Sequence, residues 1–296
     1  MHSYMTKEYQ YLFYFCKKQI IMTKPVLSFC LCCIMLLSNV ISFGQKAFSP
    51  KKVKKKEFAS ILDSANVRGS ILILDFYSST FYSNDFKHCK KGYLPASTFK
   101  IANSIIALET GVVEDLNTMF YWDGEPRRLS VWEKDLNFHD AFHASCVLCF
   151  QEIARNIGAI RMNEYLTKFD YGNMIVDSTN IDKFWLEGES KITQFEQIDF
   201  LKRFYFDELQ ISKNTTNIMK DLMIIESDNF GVLSGKTGWA IREGNNTGWF
   251  VGYYIKTDGN IIFIATNIQP NEDFNMDMFP VIRKDISMKA INMITE

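Results

Sequence analysis

Serine and lysine three positions apart occur twice in this chain, at Ser49-Pro50-Lys51-Lys52 and at Ser97-Thr98-Phe99-Lys100. A serine hydroxyl becomes a nucleophile when a neighbouring base takes its proton, and a lysine serves as that base only when its amine is neutral. Burial among apolar groups disfavours the ammonium form and supplies that condition. About one such spacing is expected by chance in a chain of this length, so spacing alone decides nothing. Context separates the two copies. Pro50 and its lysine neighbours make the first a solvated segment, whereas the second opens an apolar helical pattern that puts Ser97 and Lys100 on one face. By itself the pair also reads as an N-cap serine with a surface lysine.

Other clusters carry chemical potential of their own. Lys236-Thr237-Gly238 closes a strand-like run, where a lysine beside a glycine presents charge to a carboxylate and lets a ligand approach the backbone. Ser145-Cys146-Val147 and Tyr171-Gly172-Asn173 are each compatible with ordinary helix-surface or turn chemistry. His139 and His143 have the spacing of a zinc-binding pair, but Asp140 stands where the His-Glu-x-x-His signature needs glutamate, and no convincing third ligand follows. No metal site is expected. Glu187 is a further carboxylate that could activate water.

These residues need elements to hold them. Gly69 to Phe76 and Ser79 to Tyr82 read as two strands around a short turn. From Ser97 to Thr110, Phe99, Ile101, Ala102, Ile105, Ile106 and Leu108 recur at helical spacing, and Gly111 ends the run. The stretch from about 112 to 225 is mainly helical in pattern, including 144–157 and 194–206. Strand-like runs at 231–235, 248–255 and 260–266 precede a closing helix near 285–294. Strands at both ends bracket helices, which predicts an α+β fold: an antiparallel sheet built from both termini with a mainly helical region inserted.

With 47% apolar and 15% aromatic residues in 296, the chain is globular. Thirty-three basic residues balance 34 acidic ones, so no overall field exists to hold nucleic acid or an anionic membrane. Met22-Thr23-Lys24, the apolar run from Val26 to Ile41 and Ser42-Phe43-Gly44 have the outline of a secretory signal cut before Gln45. Residues 1–21 are then an upstream extension, and 45–296 form the mature domain. Cleavage leaves 29 basic and 33 acidic residues, a net charge of −4. Of the cysteines, Cys89, Cys146 and Cys149 survive; they are too few for a disulfide framework and are expected as buried small hydrophobes. Lys51 to Lys56 reads as a solvated, mobile lead-in.

Taken in order, Ser97-x-x-Lys100, Ser145-x-Val147, Tyr171-Gly172-Asn173 and Lys236-Thr237-Gly238 resemble the pattern of the class D serine β-lactamases, the oxacillinases. The resemblance extends through Trp122-Asp123-Gly124, residues 150–155, Phe184-Trp185-Leu186-Glu187-Gly188, Gly248-Trp249-Phe250-Val251-Gly252 and Arg283. It implies a serine β-lactamase/transpeptidase-like fold and β-lactam hydrolysis, giving antibiotic resistance. Ser97 would be the acylated nucleophile. Lys100 would be carboxylated on its side-chain nitrogen by carbon dioxide and act as general base, with no other cofactor. Val147, Trp185 and Leu186 would wall that carbamate, the Trp185 indole donating to it. Ser145, assisted by Lys236, would return a proton to the lactam nitrogen. The amides of Ser97 and Trp239 would form an oxyanion hole, while Thr237, Gly238, Trp239 and Arg283 bind substrate. The family pattern also places Trp185, rather than Glu187, toward the lysine, and leaves Tyr171 a structural part. Leu148, where bulkier aromatics are familiar, and Trp239 bear on substrate range. A periplasmic or secreted enzyme, monomeric or homodimeric, is expected. Penicillin-sensing domains that stay acylated, and cell-wall transpeptidases, share the Ser-x-x-Lys chemistry and remain the alternatives.

Overall fold

The run Val67–Asp75 is buried on both faces: Ile71 and Ile73 join one apolar cluster, Leu72 and Leu74 another. That is the pattern of a strand covered from both sides, and it makes the sheet the middle of three layers. A computed structural model of the chain describes residues 50–242 and 244–295. Their elements are β1 (Lys51–Lys54), α1 (Glu57–Ser64), β2 (Val67–Asp75), β3 (Thr80–Ser83), α2 (Lys100–Glu109), β4 (Met119–Phe120) and β5 (Leu136–Asn137). There follow α3 (Phe138–His143), α4 (Val147–Ile157), α5 (Ala159–Lys168), α6 (Gln194–Tyr205) and α7 (Lys213–Leu222). The chain closes with β6 (Ile224–Ser227), β7 (Gly231–Arg242), β8 (Asn245–Lys256), β9 (Ile261–Pro270) and α8 (Phe279–Thr295).

Seven strands form one sheet in the order β1-β3-β2-β9-β8-β7-β6. The N-terminal strands therefore meet the C-terminal ones at the β2–β9 pairing, from Val67 opposite Pro270 to Asp75 opposite Ile262. All pairings are antiparallel except β1 with β3. The expected α+β architecture, a sheet from both termini around helices, is what the chain adopts. Helices α1 and α8 cover one face through Phe58, Leu62, Ile286 and Ile291; the inserted helical region covers the other.

Within that region α2 runs through the interior, and every residue from Lys100 to Ala107 is buried. Ile101, Ile105 and Ile106 each contribute on the order of 1.5–3 kcal/mol by leaving water, which offsets placing Lys100, Asn103 and Ser104 inside. The sequence thus forces a lysine into an apolar layer.

Several expectations need correction. Lys51–Lys54 is not a mobile lead-in but the edge strand β1, whose lysines remain in solvent while the backbone pairs with β3. Edge lysines of this kind discourage further strand addition. The helix predicted from Ser97 begins at Lys100, and Ser97 sits in a 3-10 turn over Ala96–Phe99. The helix predicted over 144–157 begins only at Val147, as α4; the separate α3 ends at His143 and the turn at Ser145 divides the two. Cys146 and Cys149 are not separate small hydrophobes but a disulfide; Cys89 is buried and free, as expected. The proposed signal segment 1–44 with its extension 1–21, and Ser49 of the first Ser-x-x-Lys copy, lie outside the described residues. Among the described residues no helix is long and apolar enough to cross a membrane.

Candidate active site

Ser97 is placed by its neighbours. Ala96 takes a left-handed backbone conformation with φ of 51°, and its amide donates to the Trp185 carbonyl at 2.9 Å. The Thr98 hydroxyl donates to the Pro95 carbonyl at 2.7 Å and accepts from Gln197 at 2.9 Å. These bonds hold the 3-10 turn that runs directly into α2 and leave Ser97 lining a cavity. On the sheet side, a Cβ on Gly238 would stand 3.0 Å from both the Pro95 oxygen and Thr98 Cγ2, so only glycine lets β7 come this close.

One turn into the interior, Lys100 Nζ lies 3.0 Å from Ser97 Oγ. Lys100 is wholly buried, no carboxylate pairs with it among the described residues, and its Nζ stands 5.0 Å from the centre of the Phe150 ring. Burial holds its pKa well below the ordinary lysine range, and the nearby charge of Lys236 pushes the same way. A neutral amine beside a serine hydroxyl is what proton abstraction requires.

Ser145 owes its position to a helix ending. Its amide donates to the Phe142 carbonyl at 3.1 Å and the Cys146 amide to the Ala141 carbonyl at 2.9 Å, the bonding pattern of a Schellman C-cap on α3. The left-handed position of that cap usually belongs to glycine; here Ser145 occupies it with φ of 54°, a strain of about 1–2 kcal/mol. Cys146 then caps α4, its sulfur accepting from the Cys149 amide at 3.2 Å. The turn exposes Ser145 and Val147 to the same cavity as Ser97.

Strand β7 brings up the opposite wall with Thr237, Gly238 and Trp239. Lys236, 5% exposed, has its Nζ 5.6 Å from the Phe142 ring centre. Burial first, and the Arg283 charge second, bring its pKa down to about 7. Arg283 of α8 donates to the carbonyls of Gly238 at 2.7 Å, Phe279 at 2.9 Å and Pro280 at 2.9 Å. Burial lowers its pKa to about 10, so it stays charged near neutrality. A Cβ at Gly248 would come within 2.9 Å of Arg283 Cδ, which is why the strand beneath the arginine carries glycine.

The cavity measures about 710 Å³, the size of a small-molecule site, and Leu186 and Arg283 complete its contact with the residues above. Trp185 is fully buried behind it, its ring 5.3 Å from that of Phe99. Its indole N–H finds no acceptor among the described residues. Tyr171 is likewise buried, with its ring 4.7 Å from Phe200 and 5.8 Å from Phe99; burial pushes its pKa up, and packing describes its surroundings.

Ser97, Ser145, Val147, Leu186, Thr237, Gly238, Trp239 and Arg283 therefore share one cavity, with Lys100, Trp185 and Lys236 buried around it. His139 and His143 stack on each other with ring centres 4.5 Å apart, and no group of three or more metal-ligating side chains occurs among the described residues. Sequence reasoning missed the far rim, Pro126 to Leu129 with Trp132, and the phenyl rings of Phe142 and Phe150 against the two lysines. Nothing local marks those rings, since they reach the lysines only through tertiary packing.

Residues 48–281 match the family model described as the penicillin binding protein transpeptidase domain. The chain is 34% identical over 253 residues to the β-lactamase OXA-48 of Klebsiella pneumoniae, covering 86% of this chain and 94% of that one. It is 38% identical over 228 residues to OXA-10 of Pseudomonas aeruginosa, with coverages of 76% and 84%. The crystal structure of the class D β-lactamase YbXI from Nostoc superposes with a TM-score of 0.76 at 38% identity, over 80% of this chain and 98% of that one. The regulatory protein BlaR1 of Bacillus licheniformis is 30% identical over 218 residues, but only 36% of its length is matched. Fold, cavity and relatives agree: this chain belongs to the class D serine β-lactamases and is a β-lactam hydrolase.

Proposed function

We propose that Ser97 is the nucleophile that opens the lactam ring and that Lys100 is its base. The observation that carries this reading is the 3.0 Å approach of Lys100 Nζ to Ser97 Oγ inside an apolar layer that disfavours the ammonium form. The same neutral amine fits carboxylation by carbon dioxide. The buried indole N–H of Trp185, which lacks an acceptor, is the kind of donor a carbamate needs, and Val147 and Leu186 supply apolar walls. Once formed, the carbamate supplies the general base for acylation and for deacylation.

The chain's own groups do the rest. The backbone N–H groups of Ser97 and Trp239 donate to the developing oxyanion. Ser145 carries a proton to the departing lactam nitrogen, and protonated Lys236 replenishes it. Arg283 and Thr237 hold the antibiotic's carboxylate. Export to the periplasm or medium, after removal of a signal within residues 1–44, agrees with a Cys146–Cys149 disulfide, a bond kept in oxidising compartments. The enzyme works there as a monomer or homodimer, conferring β-lactam resistance.

Penicillin turnover with and without bicarbonate tests the reading. Ser97→Ala and Lys100→Ala should each lower kcat by about 10⁴-fold or more. Trp185→Ala should make activity depend on added bicarbonate. Wild-type turnover left unchanged in Lys100→Ala would remove the lysine from the mechanism. The likeness to BlaR1 favours a second reading, a sensor that stays acylated, and a single stoichiometric burst without turnover would select it.

A further inference from the structure

The two halves of the Ser145-Cys146-Val147 turn face the reaction cavity, and Cys146 lies between them. Its sulfur is bonded to Cys149, one residue beyond Leu148, another wall of the cavity. A covalent ring thus closes over the first turn of α4 at the point where the backbone holds serine in a conformation that favours glycine. Strained backbone persists only where the surroundings over-determine it. The amides of Ser145 and Cys146 fasten the turn from the α3 side, and the disulfide fastens Cys146 from the α4 side. The bond also borders a second cavity, of about 170 Å³, lined by Cys146, Leu148 and Cys149 and bordered by Trp132, which walls the reaction cavity too. Ser97 is not among the residues that line this second cavity.

We propose that Cys146 and Cys149 are positioning residues for β-lactam hydrolysis: as a disulfide they fix the Ser145–Val147 turn against the reaction cavity, and reduction slows the enzyme by releasing it. The inference rests on the Ser145 role proposed above. Reduction by a dithiol breaks the S–S bond and forms two S–H bonds, taking two electrons and two protons from the reductant, which closes to its own disulfide. A disulfide donor reverses the exchange. Freed from the ring, the turn keeps its backbone bonds to α3 and the Phe150 amide's bond to the Cys146 carbonyl, but loses its covalent brace across the first turn of α4. Displacements on the order of 1 Å at a proton-transferring group slow chemistry by up to about 10²-fold.

Acylation by a chromogenic penicillin, followed in single turnovers, reads the effect on oxidised and dithiol-reduced enzyme whose thiol state is set by mass. The acylation rate should fall about tenfold on reduction, with substrate affinity held within about twofold and full recovery on reoxidation. Cys146→Ala/Cys149→Ala should behave as the reduced enzyme under both conditions. A melting temperature that falls while the acylation rate stays equal would reduce the bond to a mere staple and overturn the proposal. So would a mass showing that the bond does not form under oxidising conditions. Hydrogen exchange at residues 145–149 reads the clamp independently of chemistry. Exchange should quicken on reduction, and unchanged exchange would overturn the proposal even if no acyl-enzyme forms; an oxidised enzyme that exchanges as expected but is never acylated contradicts the Ser97 reading instead.

Discussion

The helical wall of the cavity and the strand wall each contribute one buried lysine, and the two are tuned apart. Lys100 enters on a helix whose first eight residues are all buried, meets a phenyl ring and a hydroxyl, and loses its proton readily. Lys236 stands on β7 with a little exposure and beside a charged Arg283; its pKa of about 7 leaves it poised between charged and neutral. One wall favours a neutral amine and the other holds its amine between the charged and neutral forms. Both owe their shift first to burial, so the division of labour comes from how deep each element lies and which groups surround it.

On the strand side, that contrast is broken most severely at Lys236. Lys236→Ala should lower kcat/KM by about 10²-fold, the scale of losing a proton donor, with much of it recovered in Lys236→Arg. Because the protonated form is the useful one, kcat/KM of wild type should decline as pH rises through about 7, and Lys236→Arg should move that limb upward. Stability should run the other way. The folded pKa lies below the ordinary 10.5, so between about pH 7 and 10.5 the unfolded chain holds more protons and raising pH favours the fold. Melting temperatures from pH 7 to 9 should climb in wild type and climb less in Lys236→Met; a flat wild-type profile would contradict the assignment.

A smaller effect belongs to Arg283. Arg283→Ala removes the strand wall's permanent cation, so KM for carboxylate-bearing β-lactams should rise about tenfold while kcat changes less, and Lys236 should titrate higher. The least perturbation is Gly238→Ala, which presses a methyl group against Pro95 and Thr98 where the two walls touch. It should lower stability by about 1–3 kcal/mol in denaturant titrations.

Much of this was legible in the sequence, and the omissions share a cause. The strands at 231–235, 248–255 and 260–266 were visible from composition, but β7 and β8 continue through Arg242 and Asn245 into a longer hairpin than local pattern implies. Strand β1 was hidden because its lysines dominate the composition while only its backbone pairs. The residues that the motifs single out come together in space, Ser97, Ser145, Thr237 and Gly238 around one cavity with Lys100 and Lys236 buried beside it. What the motifs did not disclose is set by contacts distant in sequence: the Phe142 and Phe150 rings against the lysines and the rim at 126–129. The Cys146–Cys149 bond is the exception, close in sequence and overlooked because so few cysteines argued against any bridge.

The pairing of β2 with β9 has a bearing on when the enzyme comes into being. Strand β2, which begins at Val67, meets β3 early but finds its other neighbour, β9, complete only after Pro270 has been made, and Arg283 follows later still. A ribosome-bound chain therefore carries Ser97, Lys100 and most of its helices long before it owns a complete sheet or Arg283. Closing so distant a pair is slow. The reaction cavity is therefore completed only once Arg283 and Pro280 have joined the walls made before them.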